Sequence, residues 1–150
     1  MDYRIRNCTP QDVDTLLELC EAHAIYEQAD YSHYGKKEKL HAALFATYPK
    51  VFCLIVEIDH IAVGYASYTF DFSTWDAATF MYLDCLYLTE KCRGHGIGEA
   101  IMKNLKLVAR QNNCINIQWQ TPTFNTRAIK FYRRIGGISK QKERFTLAIQ

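Results

Sequence analysis

The sequence predicts an α/β (α+β) fold in which helices alternate with the strands of one mixed sheet. Apolar residues recur at helical spacing in four segments, β-rich runs lie between them, and polar or glycine-containing turns separate the two. The predicted order of elements is β-α-α-β-β-β-α-β-α-β. The first strands should pair antiparallel, whereas the later β-α-β crossovers should be parallel and right-handed.

The N-terminal part of the chain predicts one short strand and two helices. The strand covers residues 3–6. Thr9 followed by Pro10 is typical of a helix start, with a capping residue and a proline at the first helical position. The apolar spacing then predicts a first helix to about Tyr26 and a second helix over residues 36–47.

The middle of the chain predicts three strands. Residues 51–58 and 61–70 are rich in β-forming residues and flank Asp59-His60, which indicates a hairpin with a tight turn. Residues 80–88 are almost entirely apolar, which predicts a buried strand.

The C-terminal part predicts two further helices and two further strands. Residues 97–110 have one apolar face and should form a helix. Residues 115–120 alternate apolar and polar side chains, which predicts a half-buried strand. A short helix over residues 125–134 should end at Gly136-Gly137, and residues 138–149 should form a last strand or hairpin.

Length and composition predict one domain over residues 1–150. The net charge of +2 is too small to indicate nucleic acid or an anionic membrane as a partner. The sequence has neither an apolar run of ~18 residues nor a signal-peptide core, so we expect a soluble, cytoplasmic protein. The six cysteines include no C-x-x-C pair and the five histidines lack metal-ligand spacing, so we expect no metal.

The segment Arg93-Gly94-His95-Gly96-Ile97-Gly98 lies between the buried strand and the next helix. A glycine-rich turn at a helix N-terminus presents free backbone N–H groups and partial positive charge, which suits a phosphate or pyrophosphate. Arg93 can add a charge-assisted contact. The glycine spacing matches neither the dinucleotide-binding fingerprint nor a P-loop. A glycine-rich connection without a ligand is the alternative.

The order Arg-x-x-Gly-x-Gly resembles the acetyl-CoA pyrophosphate loop of the GNAT superfamily of N-acetyltransferases. The whole chain is most similar to the diamine (spermidine/spermine) and thialysine acetyltransferase branch. The segments that carry this resemblance are Tyr26-Glu27, Tyr68 to Asp71 with Trp75, Tyr82-Leu83-Asp84, Arg93 to Gly98, Asn125, and Phe131 to Gly136. The implied fold is a mixed, mainly antiparallel central sheet with helices on both faces, splayed between strands four and five.

The resemblance implies direct transfer of an acetyl group from acetyl-CoA to a primary amine of a small molecule, such as a polyamine, a diamine or an amino-acid-like amine. The implied cofactor-binding residues are Arg93, Gly94, His95, Gly96, Ile97 and Gly98 for the pyrophosphate, and main-chain groups of Leu86 and Leu88 for the pantetheine arm. Asn125 matches a position that contacts the cofactor arm, although an asparagine there could equally be a helix cap. The resemblance also implies a homodimer.

The implied catalytic acid is Tyr132, which matches the tyrosine that protonates the departing thiolate. A phenol, with an ordinary pKa of ~10, carries the proton that this step needs. A packed aromatic residue on an amphipathic helix is the alternative. Asp84 interrupts the apolar strand, and a carboxylate there should be paired or face a cavity. We interpret Asp84 as a second catalytic residue that binds the amine or takes its proton through water, and a buried salt bridge or a strand-end hydrogen bond is the alternative.

The predicted acceptor-binding residues are Tyr26, Glu27 and Asp84, although Glu27 could also be a solvated helix end. The polyamine enzymes carry Glu-Asp where this chain has Asp84-Cys85, so polyamines should be weaker acceptors than shorter amines. Cys85 is a poor candidate nucleophile because direct transfer requires no covalent enzyme intermediate. A protein or peptide N-acetyltransferase and a non-catalytic coenzyme-A-binding regulator of the same fold remain the alternative functions.

Overall fold

The computed structural model describes residues 1–150 as two compact units, Met1–Gln120 and Thr121–Gln150. The elements of the first unit are β1 Arg4–Asn7, α1 Val13–Tyr26, α2 Lys36–Phe45, β2 Phe52–Ile58, β3 Ile61–Ser73, β4 Ala78–Leu88, α3 Ile97–Gln111 and β5 Ile117–Gln118. The second unit contains one helix, α4 Thr126–Arg134. The predicted order of elements is confirmed up to α4. No helix combines the length and apolar character needed to cross a membrane.

The five strands form one sheet in the order β1-β2-β3-β4-β5. The first four pair antiparallel, and β4 pairs parallel with β5. The predicted hairpin between β2 and β3 turns at Asp59 and His60, which have φ values of 50° and 65°. A two-residue hairpin turn whose twist matches that of the strands requires positive φ at both of its residues. The prediction of a mixed, mainly antiparallel sheet is therefore confirmed.

Both faces of the sheet are covered by helices. Leu16 and Leu19 of α1 pack on Cys53 and Ile55 of β2 and on Tyr65 of β3. Alternate residues of β2 point to the opposite face, and they are just as buried. The buried residues of α3, which packs against β4, are Ile97, Ile101, Met102, Leu105 and Ala109. Helices on both faces were predicted, and the burial pattern follows from that arrangement.

The start of α1 is fixed by a small polar cluster. Thr9 donates its N–H and its hydroxyl to Asp12 Oδ2 at 2.7 and 2.9 Å. Arg6 donates to both oxygens of the same carboxylate at 2.7 and 2.9 Å. The hydrogen bonds of Thr9 and Arg6 lower the pKa of Asp12 to about 2, the Arg6 bond being the larger cause. Pro10–Asp12 form a 3-10 turn ahead of α1, so the α-helix begins slightly later than predicted.

The contact between β4 and β5 is short. Only Met81 with Ile117, and Tyr82 with Gln118, are in register. The predicted strand over residues 115–120 is therefore reduced to the two-residue element Ile117–Gln118. The rest of β4 extends past β5 with its outer edge unpaired by that strand, which confirms the predicted splay.

The predicted last strand or hairpin over residues 138–149 is wrong, since this segment contains neither helix nor strand. Its alternating apolar residues Phe145, Leu147 and Ile149 are between 87% and 92% exposed. Such a pattern becomes a strand only when it pairs with a sheet edge and buries one face. Within its unit the segment follows α4 and Gly136, whose φ of 97° ends the helix as predicted.

Candidate active site

The glycine loop lies where the sequence placed it, between β4 and α3. Gly94 and Gly96 have φ values of 79° and 78°, in the left-handed region that favours glycine. A Cβ atom added at either position would meet no heavy atom within 4 Å. The backbone of this loop is thus open to close approach from outside, as a bound phosphate requires.

The N-terminus of α3 supplies free donors to this loop. The first hydrogen bond of the helix runs from the N–H of Ala100 to the carbonyl of Gly96 at 3.1 Å. The N–H groups of Ile97, Gly98 and Glu99 precede that ladder and have no carbonyl one turn earlier within the helix. The dipole of this fifteen-residue helix adds partial positive charge at the same end. The donor set therefore fits a pyrophosphate.

Arg93 joins the loop to two other elements. Its Nε donates to the main-chain carbonyl of Leu88, the last residue of β4, at 2.9 Å. Its guanidinium lies 4.2 Å above the ring of Tyr26 at the end of α1, and 5.6 Å from the ring centroid of Tyr87. A residue predicted to bind cofactor and one predicted to bind acceptor are thus in direct contact. The predicted contact of Arg93 with phosphate stays a prediction.

A β-bulge sets which backbone groups of β4 face outward. Leu83 is paired with Tyr68 and Cys85 with Ser67, so Asp84 is an extra residue without a partner on β3. Before the bulge, Met81 donates its N–H toward β5, to the carbonyl of Asn116 at 3.1 Å. The extra residue reverses which residues of β4, odd-numbered or even-numbered, direct their main-chain groups toward β3.

After the bulge, the main-chain N–H and C=O groups of the odd-numbered residues of β4 point toward β3. Thr89, just past the strand, donates its N–H to the carbonyl of Val63 at 2.9 Å. In an antiparallel ladder the alternate residues Leu86 and Leu88 then direct their main-chain groups away from β3. These are the two residues that the resemblance assigned to the pantetheine arm. They face the side on which β5 has ended, and the carbonyl of Leu88 already accepts from Arg93.

Asp84 is open to solvent, although it interrupts an apolar strand. Asp84 is exposed, whereas Leu83 beside it is only 2% exposed. The bulge takes Asp84 out of the regular in-and-out alternation, so its position in an apolar run did not imply burial. Its carboxylate accepts a weak hydrogen bond from the Cys85 thiol at 3.7 Å. A buried salt bridge is also excluded, and an open carboxylate remains available to a cation.

Cys85 lies on the face of the sheet covered by α1, next to the buried core. Burial, followed by the nearby charge of Asp84, raises the pKa of Cys85 to about 12. The thiol therefore stays protonated at neutral pH, and a protonated thiol is a poor nucleophile. This agrees with direct transfer rather than an acyl-cysteine intermediate.

Tyr26 and Glu27 lie at the C-terminal end of α1. The helix closes with Gln28 in the left-handed region, at φ 58°, and with a hydrogen bond from the N–H of Ala29 to the carbonyl of Ala24 at 2.9 Å. This cap fixes the direction in which the last turn points. Tyr26 is 39% exposed beneath Arg93, and Glu27 is half-buried.

Three aromatic or titratable residues that were not predicted from the sequence lie at this helix end: His23, Tyr65 and Tyr87. His23 Nδ1 lies 2.9 Å from the hydroxyl of Tyr65, and His23 Nε2 lies 3.2 Å from Glu27 Oε1. The His23 ring also stacks on Tyr87, with centroids 5.2 Å apart. The i,i+4 spacing of His23 and Glu27 was a signal that could have been used. The two tyrosines come from β3 and β4, and nothing in the local sequence links them to α1.

Tyr132 and Asn125 belong to the second unit. Asn125 caps α4, since its Oδ1 accepts from the N–H of Ala128 at 3.3 Å. Tyr132 lies on α4, half-buried, with its ring centroid 5.3 Å from that of Phe131. The cap is the simpler of the two roles considered for Asn125, and its contact with the cofactor stays a prediction. The role of Tyr132 as an acid also stays a prediction.

Comparison with known proteins gives the family. The model of the acetyltransferase (GNAT) family matches residues 16–137. The thialysine N-epsilon-acetyltransferase of Bos taurus is 31% identical over 140 residues, covering 88% of this chain and 82% of that protein. The spermidine/spermine N(1)-acetyltransferase-like protein 1 of Homo sapiens is 27% identical, over 95% of this chain and 22% of its own length.

A solved structure supports the same fold. The aminoglycoside N-acetyltransferase AAC(6')-Iy, crystallised in complex with CoA, aligns with a TM-score of 0.77 and 15% identity, over 98% of this chain and 95% of its own. The family match and the named relatives show an acyltransferase. The chain belongs to the GNAT family of acetyltransferases, so the predicted family and the predicted enzyme class are both confirmed.

Proposed function

We propose that this protein transfers the acetyl group of acetyl-CoA directly to the primary amine of a small molecule. The observation that carries the proposal is the contact of Arg93 with both Leu88 and Tyr26. It brings the cofactor loop, the outward edge of β4 and the proposed acceptor residues to one place. The names of the bovine and human relatives support a small amine as the acceptor.

Acetyl-CoA would supply the acetyl group as an activated thioester. The loop residues Arg93 to Gly98 would hold its pyrophosphate through free N–H groups and one guanidinium. Main-chain groups of Leu86 and Leu88 would pair with the amides of the pantetheine arm. In the same proposal Asn125 contacts that arm, and Tyr132 donates a proton to the departing thiolate. The chemistry assigned to these residues requires no metal.

The acceptor is a cation in solution and must lose a proton before it attacks. Asp84 and Glu27 are the two carboxylates proposed to bind the ammonium group, with the ring of Tyr26 beside them. The exposure of Asp84 supports this role, because an open carboxylate can bind a cation and pass its proton to water. Cys85 leaves this part of β4 with one carboxylate, which favours short amines and amino-acid-like amines over long polyamines.

We further propose that the protein is a cytoplasmic homodimer. The exposed, alternating residues Phe145, Leu147 and Ile149 support the dimer, since a second copy could offer the sheet edge that such a segment needs. Light scattering at micromolar concentration tests this part separately. A monomer at that concentration contradicts it without affecting the proposed chemistry.

The acceptor class is tested by measuring thiol release from acetyl-CoA with a panel of amines. The panel contains thialysine, lysine, short diamines, spermidine, spermine, an aminoglycoside and peptides with a free N-terminus. We expect the highest kcat/KM with a short amine or amino-acid-like amine, and mass spectrometry should find one added acetyl group. Activity confined to the peptides would overturn the proposal. Binding of CoA with no thiol release from any amine would favour a regulator.

A further inference from the structure

His23 lies between two residues at the end of α1 and in β3, Glu27 and Tyr65. It lies one helical turn before Glu27 on α1, with Nε2 3.2 Å from Glu27 Oε1. On its other side, Nδ1 lies 2.9 Å from the hydroxyl of Tyr65 on β3. The three residues form a continuous polar chain from the buried sheet to the end of the helix.

The two contacts of His23 suit one tautomer of a neutral imidazole. In that tautomer Nε2 carries the proton and faces the Glu27 carboxylate, while Nδ1 accepts from the hydroxyl of Tyr65. Burial, more than any other cause, raises the pKa of Tyr65, and the residue is 2% exposed, so this hydroxyl keeps its proton at any physiological pH. The Tyr65 hydroxyl can therefore donate to Nδ1, which leaves the proton of a neutral His23 on Nε2.

The His23 ring cannot turn freely. It stacks on Tyr87 at 5.2 Å with an angle of 23° between the rings, and it meets Tyr65 edge-on at 5.9 Å. The side chain of His23 is 12% exposed, whereas that of Glu27 is 31% exposed. A largely covered, stacked imidazole thus lies 3.2 Å from a carboxylate that is itself partly open to solvent.

The same carboxylate lies next to the proposed acceptor site. Tyr26 precedes Glu27 and carries the guanidinium of Arg93 on its ring. Tyr87 lies between His23 and Arg93, since both are in ring contact with it. Next to the proposed acceptor site, Arg93 provides a positive charge and Glu27 provides a negative charge.

We propose that His23 is a positioning residue that fixes the Glu27 carboxylate as the anchor for the ammonium group of the acceptor. The inference rests on the proposed function. The histidine touches neither the amine nor the cofactor. It restricts Glu27 to one orientation, so the enzyme selects amines whose cationic nitrogen reaches that point. A freely rotating glutamate would accept a wider range of amines with lower affinity.

Two substitutions of His23 separate this role from packing. In His23→Gln the amide nitrogen lies near the position of Nε2 and can still donate to Glu27. In His23→Asn the shorter side chain retains a partner for Tyr65 but cannot reach Glu27. Both variants lose the ring stacked on Tyr87 equally. We expect the Asn variant to raise the KM for the best amine about tenfold, as for a lost hydrogen bond to a charged group. The Gln variant should stay within about threefold of wild type.

The kcat, the Kd for CoA and a double variant show whether the effect of His23 acts on the amine through Glu27. In both variants kcat and the Kd for CoA should stay near the wild-type values. Glu27→Gln should raise the amine KM at least as much as His23→Asn, and combining the two should add little to Glu27→Gln alone. Equal KM values for the Asn and Gln variants, or fully additive effects in the double variant, overturn the proposal.

Tyr65→Phe provides a second measurement if His23→Asn fails to fold. It removes one hydroxyl and leaves His23 and its ring contacts in place. We expect a higher KM for the amine with an unchanged Kd for CoA, and an unchanged KM overturns the proposal. Failure of the proposed function and failure of the His23 role give different results. A wild-type protein that acetylates no amine overturns the proposed function and this inference together, whereas an active wild type whose variants fail these comparisons overturns the role of His23 alone.

Discussion

Arg93 donates from Nε to the main-chain carbonyl of Leu88 at 2.9 Å, across the end of β4. Both residues are proposed to bind the cofactor, one through its charge and the other through its backbone. The bond explains why a guanidinium suits this position. Nε holds the strand end, while the planar group lies over Tyr26 and its remaining N–H groups are available to a phosphate.

β3 packs closely against the C-terminal end of β4. A Cβ atom added at Gly64 would lie 2.6 Å from both Leu88 Cδ2 and the carbonyl oxygen of Tyr87. Real Cβ atoms do not approach a backbone carbonyl so closely, so any larger residue at Gly64 would displace the end of β4. The position of the Leu88 carbonyl, and with it that of Arg93, depends on this glycine.

Substitution of Arg93 tests the link between cofactor and acceptor residues. Arg93→Met should weaken CoA binding about tenfold, because the charge, the Leu88 bond and the Tyr26 contact are all lost. Arg93→Lys should recover part of the affinity, since an ammonium keeps the charge but not the planar geometry. Calorimetry measures both affinities. Lys106→Met, on the exposed face of α3, removes the same charge elsewhere and should have no effect. Wild-type affinity in Arg93→Met would remove this side chain from the cofactor site.

The glycine loop can be tested with an internal control. Gly96 and Gly35 both precede a helix with φ in the left-handed region, at 78° and 67°, and both face open space. Alanine at either position should therefore cost a similar ~1–2 kcal/mol in the free energy of unfolding. Only Gly96→Ala should also weaken CoA binding, because its methyl group lies where the pyrophosphate approaches. Equal CoA affinity in the two folded variants would show that the loop does not bind the cofactor.

The features that sequence predicts well are those that local chemistry decides. The tight turn at Asp59-His60 needs only two residues that accept positive φ between two β-rich runs. The glycine loop likewise follows from residue type and its place between a strand and a helix. The Leu86 and Leu88 assignment came from resemblance, and its physical basis became visible only with the bulge at Asp84.

The features that sequence missed depend on distant pairing. The exposure of Asp84 is not evident from its apolar neighbours, because the bulge at this residue is set by the register with β3. The contact of His23 with Tyr65 joins residues 42 positions apart, with one helix and one strand between their elements. Residues 138–149 have the alternation of a strand, but pairing and burial depend on which sheet edge is available to them.

The cluster at the start of α1 predicts how stability depends on pH. Asp12 has its pKa lowered to about 2, chiefly by Arg6, whereas an unfolded aspartate titrates near ~3.9. Its contribution is therefore present above about pH 4 and is lost as the pH falls through the folded value near 2. Asp12→Asn should lower the free energy of unfolding by about 1–3 kcal/mol at pH 7, and the difference from wild type should shrink toward pH 2. Urea unfolding at several pH values measures this, and a pH-independent difference would contradict it.

Tyr132 is tested by removing its hydroxyl. If it protonates the leaving thiolate, Tyr132→Phe should lower kcat roughly 100-fold, within the range usual for general acid catalysis. The Kd for CoA and the KM for the amine should change little, because the ring remains. Tyr34→Phe, at a tyrosine that is 94% exposed, is the matched control and should keep full activity. Wild-type turnover in Tyr132→Phe would leave this residue with a packing role only.

Asp84 is the last residue to test, and its exposure makes the test clean. Because the carboxylate is open and not part of a buried ion pair, Asp84→Asn removes a charge without leaving a buried partner unsatisfied. Stability should therefore stay within about 0.5 kcal/mol of wild type, while kcat/KM for the best amine should fall about tenfold or more. The Kd for CoA should not change. Asp59→Asn removes an equivalent exposed charge at the β2–β3 turn and should leave all three quantities unchanged.

The same reasoning predicts that spermine is a poorer acceptor than a short amine, because Cys85 provides no second carboxylate beside Asp84. Unchanged amine kinetics in Asp84→Asn would contradict its role as an amine anchor. Spermine as the best acceptor by orders of magnitude would contradict the inference from Cys85, since a long polycation would then be bound without that second charge.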